Sequence, residues 1–181
     1  MRLLAISGSL RAASSNTAVL VAANRLAPVG VTIELYGGLG ELPHFNPDFD
    51  NERLPGVVAR FRELIGKADG LLISSPEYAR GVPGTLKNAL DWLVASFEFP
   101  HKPVALINTS PRATDALASL TTTLETMSAQ IVTEVSLTLP LLGMTLGADD
   151  IVARPEFAGP LRDALAAFAR VIENRDCRPD V

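Results

Sequence analysis

Two short stretches of this chain hold residue types that could do chemistry. The first, "GSLRAASSN", runs from Gly8 to Asn16 and directly follows an apolar run. Gly8 lets the backbone turn out of that run without a Cβ clash. Ser9, Ser14, Ser15 and Asn16 crowd hydroxyl and amide donors around what reads as a helix start. Such a start already offers unpaired N–H groups and a partial positive charge. Arg11 adds a full charge, and the set suits a terminal phosphomonoester. In the plainer reading the serines and Asn16 cap the helix and Arg11 is solvated. The second stretch, "PEYARGVPG", spans residues 76–84. Gly81 and Gly84 allow close backbone approach or positive φ, and Pro76 and Pro83 stiffen the bend. Few side chains remain, so the loop offers backbone N–H and C=O groups to a flat polar ring edge, with Tyr78 available as a wall. Alternatively it is only a tight turn, with Glu77 capping the helix that follows.

Other chemistries find no foothold. The one "GK" begins at Gly66 and is followed by Ala68, so there is no triphosphate-binding loop, and "GGLG" at residues 37–40 reads as a turn rather than a dinucleotide fingerprint. His44 and His101 lack metal-ligand spacing. They read as a loop residue and a strand-start residue, and no metal is expected. No G-x-S-x-G is present for a serine hydrolase. The single cysteine, Cys177, has no disulfide partner, and the "NTS" at Asn108 reads as a polar strand end.

The elements that must position these loops follow from periodicity. "RLLAIS", "VTIEL", "GLLIS", "PVALIN" and "QIVTEVSL" are strand candidates, four of them nearly all apolar, as suits strands covered on both faces. Helical spacing joins Val19, Ala22, Ala23 and Leu26, then Val57, Phe61, Leu64, Ile65 and Ala68. It continues in Leu86, Leu90, Leu93 and Phe97, in Leu117, Leu120, Leu124 and Met127, and in Leu161, Leu165, Phe168 and Ile172. Five strands alternating with five helices predict an α/β fold: a doubly wound five-stranded parallel sheet in three layers, αβα, of order 2-1-3-4-5. Ligands of such sheets sit beyond the carboxyl ends of the strands where strand order reverses, here between the first and third strands. Both unusual loops fall there.

With 181 residues, 48% hydrophobic content and a formal net charge of −4, the chain is expected to form one domain over residues 1–181. Sixteen basic residues scattered among twenty acidic ones give no positive face for nucleic acid. No run is long enough to cross a membrane and the N-terminal apolar run is too short for a signal core, so a cytoplasmic protein is expected. Residues 137–146 are apolar without period and could cap the core, but are assigned to a subunit contact.

"GSLRAASSN" and "PEYARGVPGTLKNALDW" together resemble the NADPH-dependent FMN reductase family, whose fold is flavodoxin-like. The resemblance implies that Ser9, Arg11, Ser14 and Asn16, with Ser15 beside them, hold the FMN phosphate. Pro76, Glu77, Tyr78 and the backbone of Ala79, Arg80 and Gly81 would meet the isoalloxazine. Many members have Asn where this chain has Ala79 and Ser where it has Gly81, so only backbone contacts carry over there. The third loop, "NTSPRATDA", lacks the usual paired glycines and offers Ser110 and Arg112. Leu86 and Trp92 read as packing residues, and Lys87 or Asp91 as interface residues. The implied activity is hydride transfer from NADPH or NADH through FMN to a small-molecule electron acceptor: a quinone, an azo compound, a metal oxyanion or free flavin. No side-chain catalyst is required, and a homodimer or homotetramer is expected. The alternatives on this fold are a non-enzymatic flavodoxin-like electron carrier, which this mildly acidic, aromatic-poor chain suits less well, and a flavin-free binding protein.

Overall fold

The computed structural model describes residues 1–176; Cys177 lies outside them. The apolar runs become strands β1 (Arg2–Ser7), β2 (Thr32–Leu35), β3 (Gly70–Ser74) and β4 (Pro103–Asn108), followed by two very short ones, β5 (Gln130–Ile131) and β6 (Leu137–Thr138). The sheet is parallel with order β2-β1-β3-β4-β5, and β6 continues the outer edge by pairing with β4. The helices are α1 (Ser15–Arg25), α2 (Gly56–Lys67), α3 (Gly84–Asp91), α4 (Thr114–Thr126), α5 (Ala148–Ala153) and α6 (Pro155–Asp176).

Successive strand residues point to opposite faces, and each face builds its own core. Leu3, Ala5, Leu72, Ala105 and Ile107 pack under α1, α5 and α6. Leu4, Ile6, Leu71, Ile73, Val104 and Leu106 pack under α2, α3 and α4. The three expected layers result, and the strand-order reversal falls between β1 and β3.

Three features depart from the sequence reading. The fifth strand, expected to be continuous over residues 130–137, is broken. Val104 pairs with Ile131 and Ile107 with Leu137, so three residues of β4 face six of the edge chain. The surplus forms a turn that sends both Val132 and Val135 into one core, and the Ser136 hydroxyl replaces the missing ladder acceptor by taking the Leu106 N–H at 3.0 Å. Second, Phe97 does not continue the helical stripe through Leu93; α3 stops at Asp91 and Phe97 is 98% exposed. The break begins at Leu93 and Val94, whose N–H groups bond Leu90 O and Asp91 O three residues back, and Arg62 Nε and Nη2 then take the Trp92 carbonyl at 2.9 and 2.5 Å. A continuing α-helix would need that carbonyl for Ser96, which bonds Leu93 O instead. Third, residues 137–146 mainly cap the core: Leu139 and Leu141 are buried in it, leaving Leu142 and Met144 exposed.

The "LKNALDW" end of the second motif proves architectural. Asn88 Oδ1 accepts the Phe45 N–H at 2.8 Å, Asn88 Nδ2 donates to Pro43 O at 3.0 Å, and Trp92 Nε1 donates to the same carbonyl at 2.8 Å. Together they pin the loop that follows β2. Leu86 and Trp92 are fully buried, as read, while Lys87 and Asp91 form an i,i+4 pair with each other at 2.6 Å.

Candidate functional site

Three loops leave the carboxyl ends of β1, β3 and β4, and buried polar bonds tie them together. Gly8 N–H donates to Ser74 O at 2.8 Å. A Cβ on Gly8 would lie 2.5 Å from Ser75 Oγ and 3.2 Å from Leu86 Cδ2, so only glycine lets the first two loops come this close. Asn16 Oδ1 accepts from Ser74 Oγ at 2.9 Å and from Thr109 Oγ1 at 3.2 Å. One buried amide thus braces all three strand ends.

The first loop keeps its donors outward of that brace. Ser14 is the N-cap of α1, its Oγ accepting the Thr17 N–H at 3.3 Å. The N–H groups of Ser15 and Asn16 come too early in the helix for an intrahelical acceptor, and no acidic residue lies in the first turn. Ser9 is buried with its Oγ accepting the Arg11 N–H at 3.3 Å, Ser15 is half-buried and Arg11 is exposed. The donor set contains hydroxyls, an amide and a guanidinium without a carboxylate, which fits a phosphomonoester. Asn16 differs from the sequence expectation in one respect: its acceptor oxygen is used inside the protein, leaving the Nδ2 end of the amide as its donor.

The second loop takes an unexpected conformation. Tyr78 and Gly81 exchange backbone bonds, N–H to O at 3.1 Å and 2.9 Å, closing a two-residue hairpin. The left-handed residues are Ala79, at φ 49°, and Arg80, at φ 61°. Neither Gly81 nor Gly84 has a positive φ. A Cβ on Gly81 would meet only Tyr78 O at 3.6 Å, and one on Gly84 would meet nothing within 4 Å. Glycine is therefore not demanded there by the fold itself. Glu77 does not cap α3, since α3 has no side-chain cap; its Oε2 accepts the Ala116 N–H at 2.9 Å in the first turn of α4. Arg80 Nε bonds Asp115 Oδ2, and that carboxylate raises the guanidinium above its ordinary value. Tyr78 is 52% exposed and Pro76 is half-buried.

The third loop is knitted internally. Asn108 donates to Ser110 O at 2.7 Å and accepts the Ser110 N–H at 3.1 Å, while Ser110 Oγ accepts the Arg112 N–H at 3.3 Å. Ser74, Thr109, Asp115 and Ala116 were missed by sequence reasoning. Only the polar strand end at Asn108–Ser110 hinted at them, because partners such as Arg80 and Asp115 are visible only once the loops are adjacent.

Size alone would direct attention elsewhere. A concavity of about 400 Å3 opens at the opposite, amino ends of β3 and β4, lined by Asp69, His101, Lys102 and Arg175. Its cations are already engaged: Lys102 Nζ donates to Gly66 O and Ala68 O at 3.1 and 2.5 Å, closing the end of α2, and Arg175 donates to His101 O at 2.7 Å. Among the described residues no cluster of His, Cys, Asp and Glu could hold a metal, and no helix is long and apolar enough to cross a membrane.

The strand order, with its paired loops at the reversal, places the chain in the flavodoxin-like class of α/β proteins. Within that class the sequence profile of the NADPH-dependent FMN reductases matches residues 1–141, and the chain belongs to that family. It is 43% identical over 112 residues to an NAD(P)H-dependent FMN reductase of Pseudomonas aeruginosa, a match covering 61% of this chain and 60% of that one. It is 39% identical over 113 residues to a 2-hydroxy-1,4-benzoquinone reductase of a Burkholderia species, covering 61% of each. Each match thus spans about three fifths of the curated relative's length. In structure it resembles the flavoenzyme NAD(P)H:(acceptor) oxidoreductase FerB of Paracoccus denitrificans, with a TM-score of 0.78, 29% identity and coverage of 96% of this chain and 97% of that one.

Proposed function

We propose that the protein is an NAD(P)H-dependent FMN oxidoreductase that passes electrons to a small acceptor. The carrying observation is the pairing of a carboxylate-free helix start, residues 9–16, with a hairpin closed by its own backbone, residues 78–81, in the loops that follow the adjacent strands β1 and β3. FMN, when bound, supplies hydride chemistry at its N5, and the protein's part is binding, orientation and electrostatics.

Arg11 and the hydroxyls of Ser9, Ser14 and Ser15 would neutralise and hydrogen-bond the phosphate, helped by the Asn16 amide and the free N–H groups of α1. Pro76, Tyr78 and the backbone of Ala79, Arg80 and Gly81 would meet the ring, together with Ser110 and Arg112 of the third loop. No side-chain acid or base is needed for the reaction. The co-substrate is NADPH or NADH, and relatives named as quinone reductases favour a quinone acceptor over an azo compound, a metal oxyanion or free flavin. We further infer a single cytoplasmic domain that works as a homodimer or homotetramer. Support for self-association comes from apolar side chains left outside the core, Val94 at 64% and Phe97 at 98% exposure; light scattering that gave a monomer would remove it.

The test is an absorbance spectrum of the purified protein with added FMN, then NADPH, then a quinone in the same cuvette. The reading expects a perturbed flavin band that bleaches with NADPH and returns, turnover after turnover, with the quinone. A perturbed band that NADPH scarcely bleaches would favour an electron carrier, and an unperturbed band a flavin-free binding protein.

A further inference from the structure

Ala79 and Arg80 hold backbone conformations that their side chains disfavour, with φ of 49° and 61°. They are the two central residues of a hairpin whose geometry Asn-Gly adopts most easily. Contacts from outside the turn must hold it in place, and two such contacts reach the start of α4. Arg80 pairs with Asp115, but those side chains are 83% and 41% exposed, and an exposed pair is screened and contributes little. Glu77 is half-buried, and its carboxylate accepts the Ala116 N–H at 2.9 Å where the helix start favours negative charge. The greater share of the restraint therefore falls on Glu77.

We propose that Glu77 is a positioning residue: its carboxylate clamps the strained 78–81 hairpin to the amino end of α4 and so pre-sets the backbone against which the flavin ring lies. The proposal deepens the FMN reading above and rests on it. Its distinguishing consequence is coupling between Glu77 and the turn. If the clamp works against turn strain, relieving the strain makes the clamp dispensable; a Glu77 that instead touched the ring directly would show no such coupling.

The experiment compares wild type, E77A, A79N/R80G and E77A/A79N/R80G in two assays. Amide hydrogen exchange at Tyr78 and Gly81 in FMN-free protein reads hairpin closure, and titration with FMN reads affinity and the position of the bound flavin band. E77A is expected to speed exchange at both amides about tenfold and to weaken FMN binding about tenfold. The triple variant should return both quantities to within about threefold of A79N/R80G. E77Q, which keeps a neutral acceptor for Ala116, should fall between wild type and E77A and serves if E77A fails to fold. Wild-type exchange in E77A and E77Q, or a triple variant as impaired as E77A, would overturn the proposal. A wild-type protein that binds no FMN would sink the functional reading instead, and the exchange data would still decide the clamp.

Discussion

At the scale of single residues, charge and close approach divide the site between them. No acidic residue lies in the first turn of α1 to compete for Arg11, and a charge-assisted bond to phosphate is worth about 1.5–3 kcal/mol. Arg11→Ala should therefore weaken FMN binding about ten- to a hundredfold in a fluorescence titration; wild-type affinity would remove Arg11 from the phosphate site. The glycines make a sharper pair. Gly8→Ala drives a methyl to 2.5 Å from Ser75 Oγ, and overpacking of this kind costs about 1–3 kcal/mol of stability in a urea melt. Gly81→Val adds atoms whose Cβ meets only Tyr78 O at 3.6 Å, so its melt should shift by less than about 0.5 kcal/mol while flavin affinity falls. A Gly81→Val variant that unfolded, or one that bound FMN normally, would contradict the assignment of that surface to the ring.

Among the elements, what could be read in advance was what local pattern dictates. The four complete strands lie where their apolar runs lie, and Ser14 begins α1 because its side chain can satisfy the Thr17 N–H. What escaped was set by partners distant in sequence. Nothing near Trp92 says that Arg62 will take its carbonyl where the helical path is lost before Phe97. The broken edge strand did leave a trace: Val132 and Val135 are three apart and cannot face the same side of a strand, yet both are buried in one core. Ser136 makes this break tolerable by accepting the Leu106 N–H and donating to Val132 O, each at 3.0 Å. Ser136→Ala would strand an N–H of the fully buried β4, at a cost of about 1–3 kcal/mol, read as a lower urea midpoint with faster exchange at Leu106. An unchanged midpoint would mean that water or a shifted backbone replaces the hydroxyl. The same limit hid the site's conformation, since the left-handed pair at Ala79 and Arg80 is held by α4, more than thirty residues on.

For the whole molecule, a tyrosine packed against the core under α2, α3 and α4 ties stability to pH. Tyr36 leaves the end of β2 with its ring stacked on Phe61, centroids 4.7 Å apart, under the α2 face of the sheet. Gly38 makes room for it, because a Cβ there would sit 2.8 Å from the Tyr36 hydroxyl. Burial, with the nearby Glu41 charge adding to it, pushes the phenol up from 10.0 to about 12. In the unfolded chain the proton leaves near pH 10, whereas the folded protein holds it until near 12, so within that window the folded state binds more protons. The contribution is fully present below pH 10 and is lost as pH rises through the window. Tyr36→Phe keeps the ring stack and removes the ionisation. It should match wild type near pH 8 in urea midpoint and lose stability less steeply between pH 10 and 11. Parallel curves for the two proteins would show that the phenol titrates alike in both states, and that alkaline loss arises from other groups of the fold.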